Sequence, residues 1–317
     1  MADSAVAACP LCATAGKHAY SGRDIMLGLP KVYAYHTCPS CKAVYQHPMP
    51  DKQTIAGFYP AHYDVYREDA KPKTIGLFEK AVLHRWYGYR SLQSPVAYRV
   101  LAGLVGWGFH RDSIAAVDAG SALDIGCGNG RFLRKLRELG WHCEGLDFSQ
   151  TAVEVCRAAG LKVHHGDLYS AGFSDRSFDL VTTRHVIEHV PDPAALMEEI
   201  ARILKPGGRV IIQTPNSQAL ARGRFGAHWY ANDIPRHLVL FCPTNLDALA
   251  SRFGLECIRS KTCTSPKIIL NSIDYALGSN HLVSKKIRWR RMLARLYVVL
   301  ATLTGRGDEL YAVYRKR

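Results

Sequence analysis

The segment Leu123-Asp124-Ile125-Gly126-Cys127-Gly128-Asn129-Gly130-Arg131 sets three glycines on alternate positions after a short apolar run. The run Ser121–Ile125 reads as a buried strand, and 131–139 as the helix that follows it. Glycine at 126, 128 and 130 lets the backbone turn sharply and lets a ligand lie against main-chain N–H groups at the helix start. A second apolar run, 141–146, ends in Asp147, 23 positions after Asp124. A nucleotide-type fold places a carboxylate there, against ribose hydroxyls. Taken alone, the glycines also suit a plain tight turn, and Asp147 suits a cap for a helix over 149–156.

A second group of residues has metal-ligand spacing. Cys9-Pro10-Leu11-Cys12 and Cys38-Pro39-Ser40-Cys41 are separated by 25 residues. Two such knuckles bring four thiolates within reach of one tetrahedral ion, the geometry of structural zinc. Iron on the same thiolates and four unligated cysteines are the alternatives. A catalytic metal is not expected, because four Cys ligands leave no open position. Val32–Thr37 alternates like a strand leading into the second knuckle.

Asp-x-Gly-x-Gly-x-Gly at 124–130 resembles the first motif of class I S-adenosylmethionine (SAM)-dependent methyltransferases. Later segments resemble that family's motifs in its own order: Leu146-Asp147-Phe148-Ser149, His165-Gly166-Asp167-Leu168, Phe178 to Val190, and Leu204-Lys205-Pro206-Gly207-Gly208 running into a fifth strand. The resemblance is dense over 121–216 and loose over 217–317. It implies an α/β fold, a Rossmann-like seven-stranded methyltransferase sheet fronted by a small N-terminal zinc ribbon. It implies that Asp124, Gly126 and Gly128 frame the methionine half of SAM. By the same resemblance Asp147 accepts hydrogen bonds from the ribose, Phe148 packs on the adenine, Asp167 and Leu168 meet the ring, and Arg184 joins the cofactor-binding set.

Methyl transfer from a sulfonium is an in-line displacement, for which the enzyme supplies alignment and a dry pocket. An oxygen or carbon nucleophile also loses a proton, which histidine can accept near neutral pH. His185 and His189 are spaced as on one helical turn after the fourth strand. His237 lies in a segment, 228–238, that resembles the "W…D.PRHL..F" loop of methyltransferases from surface-polysaccharide and related clusters. His237 and His185 are the candidate catalytic bases, with Arg236 and Asp233 fixing the loop. Anchoring of loops by hydrogen bonds is the alternative role for both histidines. Thr183-Arg184-His185-Val186 stands where amino methylases of adenine or glutamine carry Asn/Asp-Pro-Pro-Tyr, which argues against that chemistry.

These residues need elements to hold them. The expected organisation is a zinc-ribbon-like module over 1–50, a helical connector or cap over 51–120, and a methyltransferase domain over 121–317. Within the connector, Phe58-Tyr59-Pro60, His62-Tyr63 and Tyr66 form an aromatic run, and 75–109 is helical and apolar, broken at Pro95. From Thr244, read as a cap, a helix runs over 245–253, stops at Gly254, and leads into a strand over 255–262. A last strand is expected over 309–314.

The chain has 317 residues, 48% of them hydrophobic and 21% charged, as in a soluble globular protein with one full core and a small accessory module. No apolar run reaches bilayer length, and the N-terminus has no basic segment followed by an apolar one. Six further cysteines, at 127, 143, 156, 242, 257 and 263, fall in expected core elements, as small buried hydrophobes do in a reducing compartment. A cytoplasmic protein is expected.

Net charge is +14, and ten basic residues against two acidic ones lie in 281–317. One localised patch suggests a single anionic contact surface rather than a nucleic-acid groove. Leucines and Trp289 recur at helical spacing over 282–303, with Arg288, Arg291 and Arg295 on another face. Two readings stand: a peripheral contact with anionic membrane, or a lid helix packed on the domain. The expected reaction is methyl transfer to a hydroxyl or activated carbon of a small or lipid-linked metabolite, a sugar among them. An RNA methyltransferase and a non-catalytic SAM-binding scaffold are the alternatives.

Overall fold

A computed structural model describes residues 7–59, 75–90, 92–105, 119–279 and 283–317. Two sheets organise it. The first is four-stranded, built from β1 (Lys17–Arg23), β2 (Val32–Thr37), β3 (Val44–Gln46) and the short β9 (Val239–Leu240), in the order β1-β2-β3-β9. Its pairings are antiparallel. The expected strand before the second cysteine knuckle is therefore present as β2. The fourth strand comes from far downstream, at Val239–Leu240, and is too short to show a period in sequence.

The second sheet has seven strands: β4 (Ser121–Ile125), β5 (His142–Asp147), β6 (Val163–His165), β7 (Phe178–Arg184), β8 (Leu204–Pro215), β10 (Leu255–Cys263) and β11 (Glu309–Lys316). Their order is β10-β11-β8-β7-β4-β5-β6. β4 and β5 pair in parallel, as do β5 and β6, while β11 runs antiparallel to both β8 and β10. This is the Rossmann-like seven-stranded architecture expected from the sequence. Four of the five residues of β4 are buried, as befits a strand covered on both faces.

Ten helices cover the described residues: α1 (Lys52–Ala56), α2 (Leu77–Tyr87), α3 (Val96–Val105), α4 (Arg131–Glu138), α5 (Gln150–Ala158), α6 (Pro193–Ile203), α7 (Leu220–Phe225), α8 (Pro243–Ser251), α9 (Pro266–Ala276) and α10 (Arg288–Leu303). The apolar stretch broken at Pro95 gives α2 and α3, and residues 106–109 lie outside the described residues. So do Pro60, His62, Tyr63 and Tyr66 of the aromatic run. The expected cap of α8 is corrected. Cys242, not Thr244, is the N-cap, and the Asn245 side chain accepts from its N–H at 2.9 Å. The Asn245 side chain answers the cap's own N–H, and the Cys242 side chain takes the Asn245 N–H, the first-turn donor that a threonine cap would have answered.

The chain divides into two compact units, Met1–Tyr63 with Thr183–Arg202 and Arg209–Arg317, and Asp64–Thr182 with Ile203–Gly208. In the second unit, α4 packs directly on β5. A Cβ at Gly145 would stand 2.6 Å from Leu133 Cδ1 and 2.8 Å from Cys127 Sγ, so only glycine admits the helix that follows the glycine turn. In the first unit the segment 229–238 lies in the core. Trp229, Arg236 and Leu238 are almost fully buried, and Trp229 clusters with Tyr35, Val44 and Leu240.

Candidate active site

The glycine turn takes the backbone form its residues demand. Gly126, Gly128 and Gly130 have φ of 68°, 53° and 72°, a region that costs other L-residues energy. A Cβ on Gly128 would meet nothing within 4 Å, so the outer side of the turn is bare backbone with room above it. At Gly130 a Cβ would instead strike Leu161 at 2.4 Å and Cys156 at 2.8 Å. The two glycines thus serve different ends, one an open face and the other close packing.

Asp147 ends β5 nearly buried, and its carboxylate holds the turn. Oδ2 accepts the Gly128 N–H at 2.8 Å and Oδ1 accepts the Ser149 N–H at 2.9 Å. Burial pushes its carboxyl above the usual range, against the pull of these two bonds and of His165. The helix cap itself is Ser149, whose side chain accepts from Ala152 N–H. Asp124 is buried in β4, where Thr182 donates to its Oδ1 at 2.6 Å. Phe148 is exposed and Leu168 buried. Asp167 is exposed and closes a turn by accepting the Ser170 N–H at 2.8 Å. The structure thus joins Asp147 to Gly128 and leaves Asp167 in a separate turn.

In the other unit, β7 ends at Arg184 and the chain turns at once. His185 has φ of 56°, rare for a residue with a side chain, and its N–H donates to the Gln213 carbonyl at 2.8 Å. The segment Ile187–His189 is a short 3-10 turn, so His185 and His189 are not neighbours on an α-helix as the spacing suggested. The turn places His185 Nδ1 3.2 Å from Oε1 of Glu188, whose side chain is fully buried. The His185 side chain itself is 41% exposed, and its Nε2 lies 3.6 Å from Glu309 Oε1. Arg184 Nε donates to Gln213 Oε1 at 3.1 Å, and Gln213 Nε2 donates to Glu309 Oε2 at 3.2 Å.

Charge distributes unevenly over this cluster. Burial alone would lift the Glu188 carboxyl, but the bond and charge of His185, with His189 and His237 nearby, hold it down at about 2. Thr214 also donates to Glu188 Oε2 at 2.9 Å. Burial would lower the His185 imidazole, yet Glu188 and then Glu309 raise it above its ordinary value. His189 goes the other way, lowered to about 4 by burial and by His237.

His237 is only 7% exposed. Its Nδ1 donates to the Ala231 carbonyl at 2.9 Å, its Nε2 stands 3.9 Å from both Glu188 and Asp233, and its ring meets His189 edge-on at 4.6 Å. The loop around it is fixed as expected by Arg236 and Asp233, which pair at 2.7 Å. The sequence reading missed the other half of that clamp, Asp24, at 2.7 Å from Arg236 and 212 positions away in the chain. Glu188 is likewise given no role by the family motifs, and its i,i+3 spacing from His185 is the one signal the sequence offers.

Among the described residues, two groups of side chains could hold a metal. Ligand atoms of Glu188, His189 and His237 lie within 4.8 Å of one another, as do those of Cys9, Cys12, Cys38 and Cys41. In the cysteine group Cys9 and Cys41 Sγ are 3.5 Å apart, as are Cys12 and Cys38. Tetrahedral zinc–thiolate bonds of about 2.3 Å need sulfurs roughly 3.8 Å apart, close to what is seen. The residues after each knuckle, Ala13 and Lys42, share a left-handed φ of 58° and 64°, and each donates its N–H back to the first cysteine's carbonyl. The remaining cysteines correct the expectation in one place. Cys127, Cys156 and Cys242 are buried, Cys143 and Cys263 are half-buried, but Cys257 is exposed, on a strand whose middle residues face solvent.

Residues 110–260 match the family described as "Methyltransferase domain". Ubiquinone biosynthesis O-methyltransferase of Cupriavidus pinatubonensis is 27% identical over 237 residues, spanning 71% of this chain and 92% of that protein. The protein of the same name from Pseudomonas aeruginosa is 30% identical over 195 residues, 57% of this chain and 82% of that protein. Among solved structures, a SAM dependent methyltransferase from Archaeoglobus fulgidus aligns with 63% of this chain and 87% of its own, at 20% identity and a TM-score of 0.46.

Proposed function

This chain belongs to the SAM-dependent methyltransferases, and from that footing we propose that it methylates a hydroxyl oxygen of a small metabolite with His185 as general base. SAM supplies an electrophilic methyl group on its sulfonium. Asp124, Gly126 and Gly128 frame its methionine half, and the open face above Gly128 suits a ligand lying on bare backbone. Asp147 takes the ribose hydroxyls on the oxygen lone pairs left beside its two N–H bonds. Phe148, exposed beside it, covers the adenine, with buried Leu168 and exposed Asp167 at the ring.

The pairing of half-exposed His185 with buried Glu188 carries the assignment of the base. Glu188 accepts the hydrogen bond from Nδ1–H, which keeps the proton on Nδ1 and leaves the Nε2 lone pair to take the acceptor's hydroxyl proton. Glu309, 3.6 Å from Nε2, favours the imidazolium once formed. His237 was the first candidate in sequence, but its buried ring is spent on the Ala231 carbonyl and the edge of His189. We assign it to holding the loop.

The relatives' name, O-methyltransferase, supports oxygen as the methylated atom of a small metabolite. As the acceptor class we propose a small or lipid-linked hydroxyl compound, a sugar among them. We assign one structural zinc to Cys9, Cys12, Cys38 and Cys41, supported by the sulfur spacing and the paired knuckle geometry. The test is methyl transfer from labelled SAM to a panel of catechols, phenols and sugars, with the product's methyl position read by NMR. A methyl group on oxygen supports the reading, and one on nitrogen or carbon overturns it.

A further inference from the structure

Helix α10 has three faces. Ala294 and Ala301 are buried, with Tyr297 and Arg290 partly so, and this stripe packs on α9. Arg290 is tied inward, donating to Ser284 Oγ at 2.7 Å with Asp274 at 3.8 Å. A second face is apolar yet open to solvent: Trp289, Leu293, Leu296, Val299, Leu300 and Leu303 are 46% to 80% exposed. At 3.6 residues per turn they form a stripe about 120° wide along some 24 Å of helix. A third face, beside the apolar one, carries exposed Arg288, Arg291 and Arg295.

Scattered exposed leucines are ordinary, but a continuous stripe along a whole helix marks a contact surface. The charge on the page names what covers it. No acidic residue occurs between positions 275 and 307, while Lys285, Lys286 and the three arginines flank the stripe. Among the described residues no helix is long and apolar enough to cross a membrane. A helix of this pattern lies in the plane of a bilayer surface, apolar side chains among the acyl chains and arginines at anionic headgroups. We propose that α10 docks the protein flat on an anionic lipid surface through Trp289, Leu293, Leu296 and Leu300, with Arg288, Arg291 and Arg295 as the headgroup contacts.

Docking holds whichever hydroxyl compound is methylated, so lipid binding and methyl transfer fail separately. Co-sedimentation of the full chain with phosphatidylcholine vesicles, with and without phosphatidylglycerol, tests it. The protein should pellet with the anionic vesicles, and neutral vesicles should bind it roughly tenfold less or weaker still. Leu296→Glu with Leu300→Glu, and separately the triple change Arg288→Ala, Arg291→Ala and Arg295→Ala, should each cut binding by roughly tenfold or more. All of these side chains are exposed, and unchanged SAM affinity confirms that each variant is folded. No pelleting with anionic vesicles at low salt overturns the proposal, as does pelleting that neither variant reduces. A dimer in sedimentation velocity that the Leu296→Glu, Leu300→Glu variant dissolves also overturns it, marking the face as a contact between copies.

Discussion

Nδ1 of His185 lies 3.2 Å from Oε1 of Glu188, a carboxylate with no access to solvent. The pair is made by one unusual residue. His185 turns the chain at a left-handed φ of 56°, and Glu188 returns three positions later in a short 3-10 turn. Strain of this kind persists where the surrounding structure holds it, and here the Gln213 carbonyl and the Thr214 hydroxyl do so.

The pair fixes a pH dependence. In the proposed role His185 acts as base only when neutral, and Glu188 raises its pKa above 6.5. The acid limb of kcat/KM should therefore have an apparent pKa above 6.5, with activity rising as pH rises through it. Glu188→Gln removes the charge that favours the imidazolium, so the limb should move to lower pH. A limb that stays in place detaches the titration from His185.

Asp147→Ala should weaken SAM binding by tenfold or more, since charge-assisted hydrogen bonds are worth about 1.5–3 kcal/mol. The same change frees the Gly128 and Ser149 N–H groups that order the turn. Asp167→Ala, in an exposed turn of its own, should cost less. Calorimetry that ranks the two variants the other way refutes the assignment of Asp147 to the ribose.

Acid should destabilise the unit that holds the histidines in two stages. His189 has its folded pKa lowered from 6.5 to about 4, so the unfolded chain takes up the proton first. Stability is lost as pH falls from about 6.5 towards 4, by roughly 2–3 kcal/mol. Glu188, held at about 2, adds a second loss below about 4.5. Denaturant titrations of His189→Gln should show the first stage gone and the second kept. An unchanged profile between pH 6.5 and 4 would place the proton uptake elsewhere.

Elemental analysis should find one zinc per chain, and Cys38→Ser should abolish it. Because a structural site carries local folding energy, chelation should expose the amides of β1, β2 and β3 to hydrogen exchange while those of β4 and β5 stay protected. Pure protein without zinc or iron removes the metal from the account.

Much of this was legible in the residues. The glycine turn, Asp147 and the paired knuckles are local motifs, and their backbone demands are written into their spacing. Strands β4, β10 and β11 stand close to where apolar runs and glycine stops put them. The rest depends on distance in the chain. Asp24 meets Arg236 across 212 positions, and β9, two residues long, joins a sheet begun at Lys17. Neither has a period to read. The i,i+4 spacing of His185 and His189 is that of helical neighbours, but a left-handed residue at 185 keeps a helix from starting there. The difference in burial between half-exposed His185 and buried His237 is not displayed by the sequence of the loop.

The proposed mechanism requires that His185, not His237, moves the proton. The decisive measurement is single-turnover methyl transfer from labelled SAM to the best oxygen acceptor, for the wild-type protein, His185→Gln and His237→Gln, with SAM affinity measured alongside. The prediction is a fall of about 10²–10⁴-fold for His185→Gln at unchanged SAM affinity, and a far smaller fall for His237→Gln once the variant is folded. A His185→Gln protein that turns over at the wild-type rate, while folded His237→Gln loses turnover, would contradict it.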